Sequence, residues 1–138
     1  MSDAPTPDEV WGQLTHLVMD TRDGWRRAVV ERTGLPFSRF RVMKRLLPGP
    51  ISVKQLAHAA AMDAPAATVT VNDLEERGLV VREIDPTNRR CKLVSLTPTG
   101  RELILDALAT PDPAPSPVAA LTPAELRTLA ELLRKLEE

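Results

Sequence analysis

Cysteine is almost absent from this chain, since Cys91 is the single thiol among 138 residues. One cysteine cannot form an intramolecular disulfide, so a reducing compartment is the simplest expectation. Long apolar runs are missing too, because no stretch approaches the roughly 20 residues that a membrane-spanning helix needs. Residues 1–7 are polar and lack the apolar centre of a secretion signal. We therefore expect a cytoplasmic protein with no membrane partner.

Residues suited to catalysis or metal binding are also scarce. The two histidines, His16 and His58, fall in different predicted helices, and neither pairs with Cys91 at the spacing of metal ligands. There is no glycine-rich phosphate loop and no nucleophile elbow of the hydrolase type. The sequence therefore predicts no enzyme, no cofactor and no metal.

Large aromatic side chains are few, with two Trp, two Phe and no Tyr. The core of a single domain of this length must then be mainly aliphatic. A small core with few large side chains gains from burying further surface against a partner. This composition favours an oligomer.

Charge is nearly balanced over the whole chain, with 18 Lys and Arg against 19 Asp and Glu. Its distribution is uneven, because residues 77–101 carry six basic and two acidic residues, a local excess of four. The basic residues of this segment are Arg77, Arg82, Arg89, Arg90, Lys92 and Arg101. A basic patch on an otherwise neutral protein is typical of a surface that contacts a phosphate backbone.

Helical periodicity and capping signals predict six helices. The expected caps are Thr6, Ser52, Asp63, Thr97 and Thr122. The predicted helices span residues 7–32, 38–47, 53–60, 64–77, 98–109 and 123–138. Residues 110–117 contain four prolines and are predicted to form a stiff connector that is not helical.

Between the fourth and fifth predicted helices the pattern changes to that of strands. Residues 79–85 and 91–96 are expected to form a hairpin around the turn residues 85–88. Gly78 is expected to end the preceding helix in the left-handed conformation, and Ile51 is expected to supply a short extra strand. Helix, helix, β-hairpin is the order of elements in a winged helix.

The helix predicted over residues 64–77 has two distinct faces. Its inward face is expected to hold Ala67, Thr70, Val71 and Leu74. Its outward face is expected to present Pro65, Thr68, Val69 and Asn72, with no carboxylate among them. Asn makes paired hydrogen bonds to adenine, and Thr or Val contacts the thymine methyl group. The same face also fits an ordinary amphipathic helix, so this helix alone leaves both interpretations open.

The predicted hairpin places Asn88, Arg89 and Arg90 at its tip. Two adjacent guanidinium groups suit phosphate contacts or insertion into a minor groove, although arginine pairs also occur in solubilising turns. The remaining DNA-contact candidates are Ser52, Lys54, Arg82 and Lys92. Glu75 and Glu76, beside Arg77, are interpreted as a solvated face.

Residues 51–97 resemble the winged helix-turn-helix of the MarR (multiple antibiotic resistance regulator) family. The matching segments are Leu56-Ala57, residues 72–80 and residues 85–100. The wing is similar to the family signature D-x-R-x₅-L-T, with Arg90, Leu96 and Thr97 in place. Asn88 departs from it, because the family usually has an Asp that orients the neighbouring Arg; Asn keeps the hydrogen bond without the charge. Val69 stands where many relatives carry Arg, which favours weaker or more A·T-directed readout.

The resemblance implies a mainly α fold with a small β-wing, in which a winged helix-turn-helix joins a helical dimerisation region (α+β). Residues 1–34 and 98–138 of this single domain would form dimerisation helices, and residues 35–97 the DNA-binding lobe. The last helix supports this division, because Leu126, Leu129, Leu133 and Leu136 form a narrow apolar stripe that requires a partner helix.

The resemblance further implies a homodimeric repressor on a pseudo-palindromic operator of double-stranded DNA, relieved by a small-molecule effector. Candidates for the effector crevice are Trp11, His16, Trp25, Arg26, Phe40 and Met43, each of which also fits a core or interface position. Two alternatives stay open: a winged helix that binds only proteins, and a redox-responsive regulator that senses oxidants through Cys91 beside Arg90.

Overall fold

The computed structural model describes residues 3–137 and contains eight helices and three strands in that part of the chain. In chain order they are α1 (Pro7–Thr21), α2 (Asp23–Thr33), α3 (Phe37–Arg45), β1 (Ile51–Ser52), α4 (Val53–Ala59), α5 (Ala64–Glu76), β2 (Val80–Asp85), β3 (Asn88–Leu96), α6 (Pro98–Leu108), α7 (Ser116–Ala119) and α8 (Pro123–Leu136). This confirms the predicted fold class. None of the described helices is both long and apolar enough to cross a membrane.

The described residues fall into two units. Residues 22–110 form one, called here the winged-helix unit, and residues 3–21 with 111–137 form the other, called the terminal unit. Helices α2 and α6 thus belong to the winged-helix unit, although the sequence analysis grouped them with the dimerisation segments.

All five predicted helix caps are formed. The side chains of Ser52, Asp63, Thr97 and Thr122 each accept a hydrogen bond from a backbone N–H in the first turn. Thr6 does the same for the N–H of Glu9 at 3.2 Å. Each cap satisfies a donor that the helix itself leaves without a partner and contributes about 1 kcal/mol.

The predicted first helix is two helices, because the regular helix stops at Thr21 and resumes at Asp23. The Thr21 hydroxyl donates to the carbonyl oxygen of Leu17 at 2.8 Å, a bond that competes with the backbone ladder and bends helices. Gly24 follows within one turn and adds no side chain that would favour a continuous helix. The expectation of one uninterrupted helix over residues 7–32 is therefore wrong.

The core of the winged-helix unit is aliphatic, as the composition predicts. Its fully buried side chains include Val29 of α2, Leu56 of α4, Leu74 of α5, Val94 of β3 and Ile104 of α6. Burial of each such side chain contributes about 1.5–3 kcal/mol. Helices α2 and α6 therefore share one core with α4, α5 and the sheet.

The sheet is antiparallel, with β3 between β1 and β2. Ile51 pairs with Val94, which confirms the expected short extra strand. The register of the hairpin shifts near its tip, because Ile84 pairs with Lys92 whereas Asp85 pairs with Asn88. Residues 89–91 of β3, between these two pairs, have no pairing partner on β2, and this irregular stretch is called here the wing bulge. In a regular strand, successive side chains point to opposite faces of the sheet, and a bulge changes these directions.

Two glycines fix the ends of the wing. Gly78 follows α5 with φ of +74°, the left-handed conformation predicted for it. Gly100 in α6 lies so close to Leu79 that an added Cβ would come within 1.9 Å of its carbonyl oxygen. Thr97 completes the junction, because its hydroxyl donates to the carbonyl oxygen of Gly78 at 2.7 Å. The wing is therefore attached to α6 through a close backbone contact that only glycine permits.

The terminal unit contains α1, α7 and α8. The prediction that residues 110–117 are not helical is wrong at its end, because α7 begins at Ser116 with Pro117 in its first turn. Proline is tolerated there, since the first-turn N–H groups have no partner within the helix. Neither α1 nor α8 contains a buried residue.

Candidate nucleic-acid interface

Helix α5, called here the recognition helix, has the two faces that the sequence predicts. Ala67, Thr70, Val71 and Leu74 are buried. Pro65, Thr68, Val69 and Asn72 are exposed, and Val69 is 61% accessible. The helical phase is thus confirmed: the exposed face of the N-terminal half is small, carries no carboxylate and is able to approach an acidic groove without repulsion.

A tight turn holds the recognition helix against α4. Ala61 has φ of +53°, unusual for a residue other than glycine, and the N–H of Met62 donates to the carbonyl oxygen of Ala57 at 2.9 Å. Arg41 of α3 donates to the carbonyl oxygen of Ala60 at 2.8 Å. The turn between the two helices is therefore fixed from both sides.

Asp73 holds the recognition helix to α3. Its Oδ2 lies 3.1 Å from Nε of Arg39 and 3.0 Å from Nε of Arg77. The hydrogen bond from Arg39, more than any other contact, lowers the pKa of the Asp73 carboxyl below its ordinary value. Asp73 therefore orients the recognition helix against α3 and is not part of the exposed face of that helix.

The start of α4 is held by Ser52. Its Oγ accepts a hydrogen bond from the N–H of Gln55 at 3.1 Å, and its own N–H donates to Gln55 Oε1 at 2.9 Å. The hydroxyl of this DNA-contact candidate therefore already caps a helix. Lys54, the next candidate, is exposed in the first turn of α4.

The wing turn consists of Pro86 and Thr87, so Asn88, Arg89 and Arg90 lie at the start of β3 rather than at the tip itself. Asp85 accepts hydrogen bonds from the N–H of Thr87 at 2.9 Å and from its hydroxyl at 2.8 Å, which lower the pKa of the Asp85 carboxyl. Local hydrogen bonding thus closes the turn.

Asn88 acts on the backbone of the wing. Its Oδ1 accepts a hydrogen bond from the backbone N–H of Arg90 at 3.2 Å. The departure from the family's Asp keeps a hydrogen bond, as expected, but this bond shapes the bulge and does not orient the guanidinium of Arg90.

Three basic side chains of the wing are available to an anion. Arg89, Arg90 and Lys92 are exposed, and among the described residues none forms an ion pair with a carboxylate. By contrast, Arg77 and Arg82 of the same basic segment are paired with Asp73 and Glu75. The basic side chains of the patch that have no ion-pair partner among the described residues therefore lie in the bulge (Arg89 and Arg90), beside it (Lys92) and in α6 (Arg101).

Arg82, a residue of β2, connects the wing to the recognition helix through its side chain. It donates to Glu75 Oε1 at 2.9 Å and also to Oδ1 of Asn72. Glu75 is exposed, as a solvated face implies, with 42% of its side chain accessible, but the sequence did not predict its ion pair with Arg82. Sequence reasoning missed this cluster because Asn72, Glu75 and Arg82 meet only once β2 packs beside α5; their sequence separations of 7 and 10 residues give no periodic signal.

Three effector candidates of the winged-helix unit, Trp25, Arg26 and Phe40, belong to an aromatic cluster. Trp25 lies 5.7 Å from Phe40 between ring centroids, and Arg26 lies over the ring of Phe37 at 5.3 Å. Phe40 and Met43 are buried in the core, so their side chains contribute to packing.

The other two effector candidates lie on α1 in the terminal unit. Trp11 lines a shallow apolar groove with Leu14 and Val18. His16 contacts Asp20 at 3.0 Å across one helical turn. The effector site remains a prediction.

Cys91 is half-buried in the bulge, with its Sγ 3.8 Å from the carbonyl oxygen of Lys92. Nothing in this arrangement tests the redox alternative. Within residues 3–137 no group of three or more His, Cys, Asp or Glu side chains is placed to hold a metal ion.

Comparison with known sequences identifies two similarities. Residues 33–90 match the family model described as the MarR family. A protein of Thauera aromatica, assigned as a transcriptional regulatory protein for the hcr operon, is 35% identical over 99 residues. The matched region covers 68% of this chain and 58% of that relative, so the chain spans less than two thirds of the relative's length.

Comparison with solved structures gives the fold. Apo MarR from E. coli superposes with a TM-score of 0.74 and 23% identity, covering 98% of both chains. A mutant MarR from E. coli, solved in complex with operator DNA, superposes with a TM-score of 0.63 and 21% identity over 96% of this chain and 99% of the other. At such identities the likeness establishes a shared fold and nothing about ligands.

Proposed function

Because the chain belongs to the MarR family, we propose that it is a sequence-specific transcriptional regulator that binds double-stranded DNA. The observation that carries the proposal is a group of exposed basic side chains at and beside the wing bulge, Arg89, Arg90 and Lys92, which have no carboxylate partner among the described residues. This bulge belongs to a hairpin bonded to the recognition helix through Arg82. Its position supports a role in phosphate contact.

The recognition helix and the wing supply different parts of the contact. A helix of this kind enters the major groove with its N-terminal half, where Thr68, Val69 and Asn72 would meet base edges. The wing arginines would contact phosphates or enter the adjacent minor groove. Phosphate contacts determine most of the affinity, and base contacts determine the sequence.

The proposal of a homodimer is supported by the apolar side chains that one chain leaves exposed in the terminal unit. On α1, Trp11 and Met19 are each 67% accessible, and on α8 Leu133 is 42% and Leu136 is 70% accessible. Contiguous exposed apolar faces on helices mark association sites. A second copy is the partner we propose, because a twofold dimer also provides two recognition helices. Its operator would be a pseudo-palindrome with half-sites about 10 bp apart.

Repression relieved by a small effector completes the proposal. Its support is the family membership together with the aromatic cluster around Trp25. An effector acts by binding more tightly to a conformation that does not fit the operator.

Selection from a random-sequence duplex library tests the proposal. The purified chain should enrich a pseudo-palindrome whose half-sites are about one helical turn apart. A variant with Arg89→Ala and Arg90→Ala together should recover much less DNA at the same salt concentration. A winged helix that binds only proteins would enrich no sequence, and that result would reject the proposed function.

A further inference from the structure

Arg82 bridges two side chains of the recognition helix. From β2 its guanidinium donates to Glu75 Oε1 at 2.9 Å and, through its other terminal nitrogen, to Oδ1 of Asn72. Its backbone N–H also donates to Glu75 Oε2 at 3.2 Å. The Arg82 side chain is only 19% exposed. The position of this guanidinium is fixed, because it is bonded to a carboxylate and largely shielded from solvent. Its hydrogen bond to Asn72 therefore restricts the orientation of the Asn72 side chain.

The chemistry of arginine decides which way the Asn72 amide points. A guanidinium carries five N–H donors and no acceptor, so the Asn72 atom that faces it must be the oxygen. The two N–H donors of Asn72 Nδ2 are then the groups left for another partner. Asn72 is exposed on the same face as Thr68 and Val69, so these donors belong to the surface assigned above to base contact.

We propose that Arg82 is a positioning residue for base recognition, which fixes the Asn72 amide as an outward donor and so makes it select guanine in the operator. This inference rests on the proposed function, because it requires that the recognition helix meets base edges. It also replaces the paired Asn–adenine contact that the sequence analysis considered.

Guanine is the base that best fits an amide whose N–H donors face outward. Its major-groove edge presents two neighbouring acceptors, N7 and O6, whereas the edge of cytosine presents a donor. Adenine presents N7 beside an N6 donor, so a paired contact would require the Asn72 oxygen to point toward the base, whereas Arg82 holds it toward the guanidinium. Without Arg82 the amide would be free to turn, because the terminal torsion of Asn is broad and roughly twofold.

The same random-library selection, repeated with variants, tests the inference. The wild type should enrich guanine at one symmetry-related pair of positions, and Asn72→Ala should identify that pair by losing the preference. Arg82→Met should reduce the guanine preference there by about 10-fold, as Asn72→Ala does. The double variant should be no worse than either single variant, because both remove the same contact.

Arg77→Met is the matched control. Arg77 also forms an ion pair with a carboxylate of the recognition helix, Asp73 at 3.0 Å, but among the described residues its side chain forms no hydrogen bond to Asn72. Both arginine variants lose an ion pair, so both should be less stable than the wild type. Only Arg82→Met should also lose the preference for guanine. Glu75→Gln should lower that preference several-fold and provides the test if Arg82→Met does not fold.

The outcomes separate this inference from the proposed function. A wild-type chain that enriches no sequence would reject both. Enrichment of a palindrome with adenine at the Asn72-dependent pair would overturn the inference alone. An unchanged guanine preference in folded Arg82→Met, or in Glu75→Gln if Arg82→Met is unfolded, would overturn it as well.

Discussion

At the scale of single residues, Gly100 is where backbone geometry is least tolerant. A Cβ there would lie 1.9 Å from the carbonyl oxygen of Leu79, so Gly100→Ala must push α6 away from the wing. We expect a loss of about 1–3 kcal/mol in the free energy of unfolding. Chemical denaturation measures it.

Gly24→Ala is the control for this prediction. Gly24 is also helical, but nothing lies within 4 Å of an added Cβ. Alanine should therefore stabilise α2 by about 0.5–1 kcal/mol through its higher helix propensity. Equal effects of the two substitutions would show that the close contact with Leu79 carries no constraint.

Asp73 provides a pH-dependent contribution to stability. The hydrogen bond from Arg39 and the contacts of Arg77 keep its folded-state pKa below the ordinary value, so the charged form is favoured by folding. That contribution is fully present above the unfolded-state pKa, about 3.9, and is lost as the pH falls through the lowered folded-state pKa. Asp73→Asn should therefore be less stable than the wild type at pH 7.

The stability difference for Asp73→Asn should shrink once the pH falls below about 4. Denaturant titrations between neutral and acidic pH measure it, with Glu76→Gln as the control, because Glu76 is exposed and forms no ion pair among the described residues. A difference that stays constant across this range would assign the effect to packing rather than charge.

At the scale of elements, the wing should act through phosphate contacts. Arg89→Ala and Arg90→Ala should each weaken binding to specific and random duplexes by a similar factor. Each should also lower the slope of log affinity against log salt by about one. Arg127→Ala, on α8, removes an exposed arginine from the terminal unit and should leave the slope unchanged. An unchanged slope in both wing variants would reject phosphate contact.

The recognition helix should gain non-specific affinity if Val69 becomes charged. Val69 is 61% exposed on the face proposed for base contact. Val69→Arg should strengthen binding to random DNA and narrow the ratio between operator and scrambled duplexes, because the added charge seeks phosphate or guanine. The affinities of Val69→Arg for operator and scrambled duplexes, measured at one fixed salt concentration, test this prediction. A larger ratio between the two affinities than in the wild type would contradict the assignment of Val69 to the DNA-contacting face.

The elements differ in how far the sequence predicts them. Caps at Ser52, Asp63 and Thr122 and the inward stripe of α5 follow from spacings of three or four residues, which local patterns reveal. The bulge at residues 89–91 depends on strand register, and the Arg82–Asn72 bond depends on packing between β2 and α5. Neither has a local signature, so the site was predicted as a set of residues without its internal contacts.

At the scale of the whole molecule, α8 should hold a dimer together. Leu133 is exposed in the apolar stripe of α8. Leu133→Asp or Leu129→Asp should dissociate the dimer, because either would place a carboxylate in an apolar seam without a partner. DNA affinity should then collapse, since one half-site alone binds weakly.

Sedimentation measures the dimer directly. Arg127→Asp on the other side of α8 reverses a charge and should leave the dimer intact. A dimer that persists in both leucine variants would mean that the stripe does not form the interface. Composition alone favours an oligomer through the scarcity of aromatic side chains, whereas the proposed interface on α8 is predicted from the spacing of its leucines.

A sequence-specific regulator must recognise a DNA sequence and not merely the charge of DNA. A titration of the duplex enriched by selection against a scrambled duplex of equal length, at one salt concentration, tests it directly. We predict binding of dimers to the enriched duplex at least about 1,000-fold tighter than to the scrambled one. Equal affinity for the two duplexes, or no binding to either, would show that the chain does not recognise a DNA sequence.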